Sequence, residues 1–150
     1  MTGTNLAQVQ YRGEALALAD LLGAHLDVVF ASLPASIEYV RAGNLRALAV
    51  TSAVPSAALP DTPVMADFVP GFEASAWFGV VTPKNTPTEI IEKLNKEISA
   101  ALADQRMKAR FADLGAMAFP PGSPAEFGKF ITHDTEKWGK VVKSAGIKID

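Results

Sequence analysis

Between Gln8 and Thr51 the sequence alternates three apolar strand signals with two short helix signals, in the order β-α-β-α-β. Such alternation calls for a parallel sheet with helices on its faces, because parallel strands can be joined only by a crossover. Gln8-Val9-Gln10-Tyr11 ends one strand, and Arg12-Gly13-Glu14 turns into a helix at Ala15. That helix runs to Leu22 with Leu18, Leu21 and Leu22 on one face, and Gly23 stops it. Leu26 to Ala31 and Leu45 to Thr51 are continuous apolar strands, as expected at the centre of a parallel sheet. Pro34 suits the first position of the second helix, which Gly43 ends. Open parallel sheets bind ligands at the carboxyl ends of their strands. The loops that matter are therefore Tyr11 to Glu14, Ala31 to Pro34 and Thr51 to Ala53.

Beyond Thr51 the text changes character. Pro55, Pro60, Pro63 and Pro70 forbid long regular elements, so Ala53 to Pro70 reads as an ordered loop or a crossing between lobes. Phe72 to Pro83 reads as an extended strand around Trp77-Phe78-Gly79. The rest is helical. Thr86-Pro87-Thr88-Glu89 spells a capping box before the stripe Ile90, Leu94, Ile98 and Ala101. Asp104 is placed to cap a further helix with Met107, Phe111 and Leu114 on one face, and Met117 to Pro120 suggests a short strand. Ser123-Pro124-Ala125-Glu126 repeats the capping box and opens a long helix that Gly146 stops. Three segments follow: 1–52 as the β-α-β-α-β part of one lobe, 53–82 as the proline-rich crossing and return strand, and 83–150 as the helical remainder of another lobe.

The 150 residues are enough for one ordinary domain or two small lobes. With 49% hydrophobic and 20% charged residues the chain falls in the globular range rather than the disordered one. A net charge of −2 with scattered Lys and Arg offers no footprint for nucleic acid. The lack of cysteine excludes disulfides and thiolate chemistry without fixing the compartment. No apolar run approaches the roughly 20 residues needed to span a bilayer. Met1 to Asn5 shows neither the basic nor the apolar region of a signal peptide, so the chain as written is expected in the cytoplasm.

Few residues suggest chemistry. His25 and His133 lack a converging cluster for a metal and read as surface residues, so no cofactor is expected. Ser32 follows a strand, as a nucleophile would, but without the G-x-S-x-G elbow; it reads as a cap for the helix at Pro34 or as a ligand hydrogen-bond donor. Gly13 serves either a tight turn or a carboxylate site on the free N–H groups of the helix start. Glu14 would repel an anion at that same spot. Arg12 and Arg41 could pair with one. Trp77 and Phe78 read as core or cleft-wall aromatics. No acid, base, nucleophile and oxyanion donor assemble, so an enzyme is not expected. The candidate ligand residues are Tyr11, Gly13, Ser32 and Thr51, which share one strand edge.

Several segments, taken in order, resemble one family. Val9-Gln10-Tyr11-Arg12-Gly13 is similar to its "V-P-Y-K-G" turn, and Leu21 to Phe30 to its "L-L-G-G-x-V-D-V-M-F". Ile37 to Thr51 resembles "h-x-x-I-K-A-G-K-L-R-A-L-A-V-T". Leu59-Pro60-Asp61-Thr62-Pro63 and Ser75-Ala76-Trp77-Phe78-Gly79 resemble "L-P-D-V-P-T" and "S-S-W-F-G", and Lys140 to Lys148 fits the family ending. The family is that of the solute receptors of tripartite tricarboxylate transporters, the Bug-type periplasmic binding proteins.

The resemblance implies an α/β fold of the type II periplasmic-binding-protein kind, closing an interlobe cleft on a small carboxylate. It implies a periplasmic location and membrane transporter subunits as partners. It matches the carboxy-terminal half of the family; the amino-terminal half would carry the glycine-rich "P-G-G" loop. Glu14 stands where the family has a second glycine, Leu16 where it often has proline, and Ala31 where it commonly has aspartate. The alternative is a short oligomeric or partner-assembled protein that reuses the half fold without transport. With much of the first lobe's cover absent, a homo-oligomer is expected.

Overall fold

Among the described residues five α-helices form where the apolar spacing and the breakers place them. The computed structural model describes residues 3–147. In chain order the helices are α1 (Glu14–Leu22), α2 (Leu33–Arg41), α3 (Thr88–Ala103), α4 (Gln105–Asp113) and α5 (Pro124–Ala145), with one 3₁₀ turn at Met65–Asp67. The chain divides into two compact units. One holds the residues up to Gly79 together with Lys108–Ala118; the other holds Val80–Met107 together with the chain from Phe119 onward.

In the first unit α1 and α2 pack on each other. Ala17 and Leu18 of α1 and Ile37 of α2 are buried, with Ile37 fully excluded from solvent. Ser36, also buried, donates its hydroxyl to the Ser32 carbonyl one turn back, at 2.9 Å, so its burial leaves no bare polar atom. The remaining buried apolar residues are Val50 and Val64, which form a single parallel bridge. Its hydrogen bonds are Val50 N–H to Pro63 O at 2.9 Å and Met65 N–H to Val50 O at 2.8 Å.

That bridge is the extent of strand pairing among the described residues. The segments Gln8–Tyr11, Leu26–Ala31, Leu45–Thr51, Phe72–Pro83 and Met117–Pro120, expected as strands, form no ladder. The reason lies in what a strand is. Apolar periodicity marks which residues a sheet would bury, but the element exists only through hydrogen bonds to neighbours. The arrangement is that of an incomplete lobe.

In the second unit α5 shows the full capping box that its sequence spells. Ser123 Oγ accepts from the Glu126 N–H at 3.2 Å, while Glu126 Oε2 accepts from the Ser123 N–H at 2.7 Å. Gly146 ends the helix in the left-handed region at φ 65°. Asn95 of α3 donates to the Gly122 carbonyl at 2.9 Å, and Phe130 of α5 meets Phe119 edge-on at 5.6 Å between ring centroids. Asp104 caps α4 as expected, accepting from the N–H groups of Arg106 and Met107.

The first capping box does not form. Pro87 takes the cap position of α3 without a side-chain cap, and Thr86 Oγ1 instead donates to the Pro83 carbonyl at 2.8 Å. A local turn through Lys84 and Asn85 has claimed the hydroxyl, a competition open to any Ser or Thr near a helix start.

Candidate functional site

The Tyr11–Glu14 turn, expected to face a ligand, borders a shallow hollow of about 310 Å³. Val9, Val29, Phe30 and the buried Ala17 give it apolar walls, and Tyr11, Arg12, Gly13 and Glu14 form its polar edge. One cation and one anion therefore share an otherwise apolar hollow. Arg12 makes no ion pair among the described residues and is solvent-exposed.

Each polar residue here has a local cause. Gly13 precedes α1 in extended backbone, and no side chain caps that helix start. Its φ of −180° suits any residue, and an added Cβ would meet no atom within 4 Å. Neither strain nor crowding requires glycine. What the position supplies is an unobstructed approach to the orphan N–H groups of the first turn.

Tyr11 places its ring at the edge, but its hydroxyl is committed: it donates to Asp20 Oδ2 at 2.6 Å. The hydrogen bond to Asp20, helped by partial desolvation and that carboxylate's charge, holds the Tyr11 pKa above its ordinary value. The hydroxyl keeps its proton through neutral pH and can offer an incoming ligand acceptor capacity only. His25 Nδ1 lies 3.7 Å from the other oxygen of Asp20, so that carboxylate ties the turn to the end of α1.

Ser32 is the cap-position residue of α2, yet its hydroxyl caps nothing. It donates to Glu14 Oε2 at 2.8 Å, and the Ser32 N–H donates to Glu14 Oε1. A carboxylate thus occupies both Ser32 donors, and it belongs to the protein. Thr51 is not brought to this hollow. It follows the Val50–Val64 bridge, and its carbonyl accepts the Ala74 N–H at 3.0 Å. Arg41, read as an anion partner, is engaged in structure: Nη2 donates to the Asp113 carbonyl at 2.9 Å, and Nη1 lies 2.9 Å from Glu38 Oε1.

The model of the tripartite tricarboxylate transporter family receptor matches residues 1–147 of the chain. The chain belongs to this receptor family. Among similar proteins, BugT of Bordetella pertussis is 37% identical over 149 residues, which are 99% of this chain and 45% of BugT. The UPF0065 protein in the clcB-clcD intergenic region of Pseudomonas knackmussii is 32% identical, covering 93% of this chain and 83% of that protein. The solved structure of R. palustris Rpa4515 with adipate superposes with a TM-score of 0.92 at 36% identity, over 98% of this chain and 49% of that one. The chain spans about half the length of BugT and of Rpa4515.

The receptor family is periplasmic, and the fold class is that of the periplasmic binding proteins. Among the described residues no helix is long and apolar enough to cross a membrane, and no group of three or more His, Cys, Asp or Glu could hold a metal. Tyr11 and Gly13 meet at one hollow, Ser32 joins them through Glu14, and Thr51 stands apart. Sequence reasoning missed two residues. Asp20 lies nine residues from Tyr11, a spacing that signals nothing. Glu14 did carry a signal, its place where the family has glycine, but that read only as repulsion.

Proposed function

We propose that this chain supplies one half of a solute receptor of a tripartite tricarboxylate-type transporter and binds a small carboxylic acid at the Tyr11–Glu14 turn. Three segments make up the working division: 1–52 as the ligand-bearing part, 53–82 as a crossing, and 83–150 as helical support for a first lobe. The observation that carries the reading is the backbone match, over 98% of this chain, to a protein solved with adipate. The hollow supports it, with Arg12 for an acid's charge and apolar walls for its carbon chain. Ser32 joins this region through its hydrogen bonds to Glu14, while Thr51 stands apart from the hollow. The membrane subunits of the transporter are the partners, delivery in the periplasm is the role, and no step of covalent chemistry is involved.

Adipate is the probe for the test. A ligand that binds only the folded chain raises its melting temperature with free ligand concentration by mass action. Tyr11→Ala combined with Gly13→Val is expected to abolish that shift while leaving the circular dichroism spectrum nearly unchanged, because position 13 has room for a side chain. Retained binding in the double variant sinks the placement.

A second reading is favoured by the Pseudomonas knackmussii protein, 83% of which this chain covers. On this reading the present chain is a short protein that assembles with itself or a partner and does not transport. A chain of that kind gains no stability from adipate or from other small acids.

A further inference from the structure

Resting on the receptor reading, the Glu14–Ser32 pair carries one step more. We propose that Glu14 is a specificity-determining residue, one that sets the far end of the ligand as a cation or neutral hydrogen-bond donor instead of a second carboxylate. The Ser32 N–H and hydroxyl are the donors that a ligand carboxylate would seek at this point, and both already end on Glu14. A second carboxylate arriving here would find its partners taken and a like charge in their place. The half-buried position of Glu14 keeps that charge from being dispersed by water.

The same pair offers a cation the reverse. An ionised carboxylate has about four acceptor positions, and Ser32 uses two of them. An ammonium group can take what remains without breaking the pair. At the same edge Arg12 supplies a positive charge free of any intramolecular ion pair among the described residues. The apolar side chains of Val9, Val29 and Phe30 line the same hollow as the two charges. The ligand class these features describe is a zwitterion with an apolar spacer: a carboxylate toward Arg12 and an ammonium toward Glu14.

Adipate and 6-aminohexanoate make a matched pair, since they have carbon chains of similar length and differ in the charge of one end. Calorimetric titration of the full chain with each acid is the experiment, on the wild type, Glu14→Gln and Glu14→Gly. The wild type is expected to favour 6-aminohexanoate by about tenfold or more, the scale on which like-charge juxtaposition discriminates. Glu14→Gln is isosteric and neutral, so it should erase the preference. Glu14→Gly also frees Ser32 and should reverse it toward adipate. If the glycine variant unfolds, the glutamine variant decides alone. A wild-type preference for adipate, or a ratio that Glu14→Gln leaves unchanged, overturns the proposal and leaves the receptor reading standing. Failure of both acids to bind every variant overturns both.

Discussion

Arg41, in the last turn of α2, clasps Asp113 at the end of α4 across 72 residues of sequence. Nη2 donates to the Asp113 carbonyl at 2.9 Å and Nη1 approaches its Oδ1 at 3.4 Å. The arginine thereby satisfies a terminal carbonyl of α4 as well as a side chain.

Two acceptors on one residue suit a planar fork better than a point charge. Arg41→Ala should lower stability by about 1 kcal/mol, a modest figure because the pair is solvent-screened. Arg41→Lys should restore less than half of that loss. Urea unfolding with an unchanged m-value is the measurement. Full rescue by lysine would show that charge alone matters.

Gly115, just beyond that clasp, adopts φ +71°, and a Cβ there would drive into the side chain of Leu33, the first residue of α2. Gly115→Ala should therefore cost roughly 2–4 kcal/mol, combining left-handed backbone strain with overpacking. Adding Leu33→Ala removes the clash but not the strain. The double variant should thus be more stable than the sum of the single effects. Strict additivity would show that the two residues do not collide.

How much of this was legible in the sequence depended on how local the cause was. The capping box at Ser123 and the cap at Asp104 could be read because donor and acceptor lie within three residues. The same pattern at Thr86 failed, since another local acceptor, the Pro83 carbonyl, won the hydroxyl. Strands such as Leu26–Ala31 carried the right hydrophobic pattern for the fold class but pair with nothing among the described residues. At the site, Tyr11 and Gly13 were reachable from the alternation of elements. The Glu14–Ser32 pair was not, because it joins residues 18 apart whose meeting is set by how α1 packs on α2.

The start of α5 should respond to acid. The Glu126 pKa is held below the ordinary glutamate value of 4.5, first by the Ser123 N–H and then by its hydroxyl. A depressed folded-state pKa contributes stability that is complete above the unfolded value and is lost as pH falls through the folded one. Helicity of the wild type should accordingly drop below pH 4.5, and Glu126→Gln should flatten that component of the profile. Measurement is by far-ultraviolet circular dichroism from neutral pH downward. An identical acid profile in the glutamine variant would assign the loss to other carboxylates.

Association should follow from what the chain leaves uncovered. Its buried apolar core among the described residues is small: Ala17, Leu18, Ile37, Val50 and Val64. By contrast Phe78 is 90% exposed, and Val80 and Val81 are 64% and 78% exposed, in a segment with no strand partner. Each large apolar side chain kept in water forgoes roughly 1.5–3 kcal/mol of burial, so a few of them weigh heavily against a typical net stability of about 5–15 kcal/mol. An extended apolar segment with free backbone groups is also a template for pairing with another chain. At micromolar concentration the chain is therefore expected to form a two-fold dimer, the simplest closed assembly. Phe78→Ser with Val81→Thr removes apolar area without touching the helices and should shift light scattering toward the monomer. If the wild type instead runs as a monomer that unfolds cooperatively, the small core suffices by itself and the exposed segment does not drive assembly.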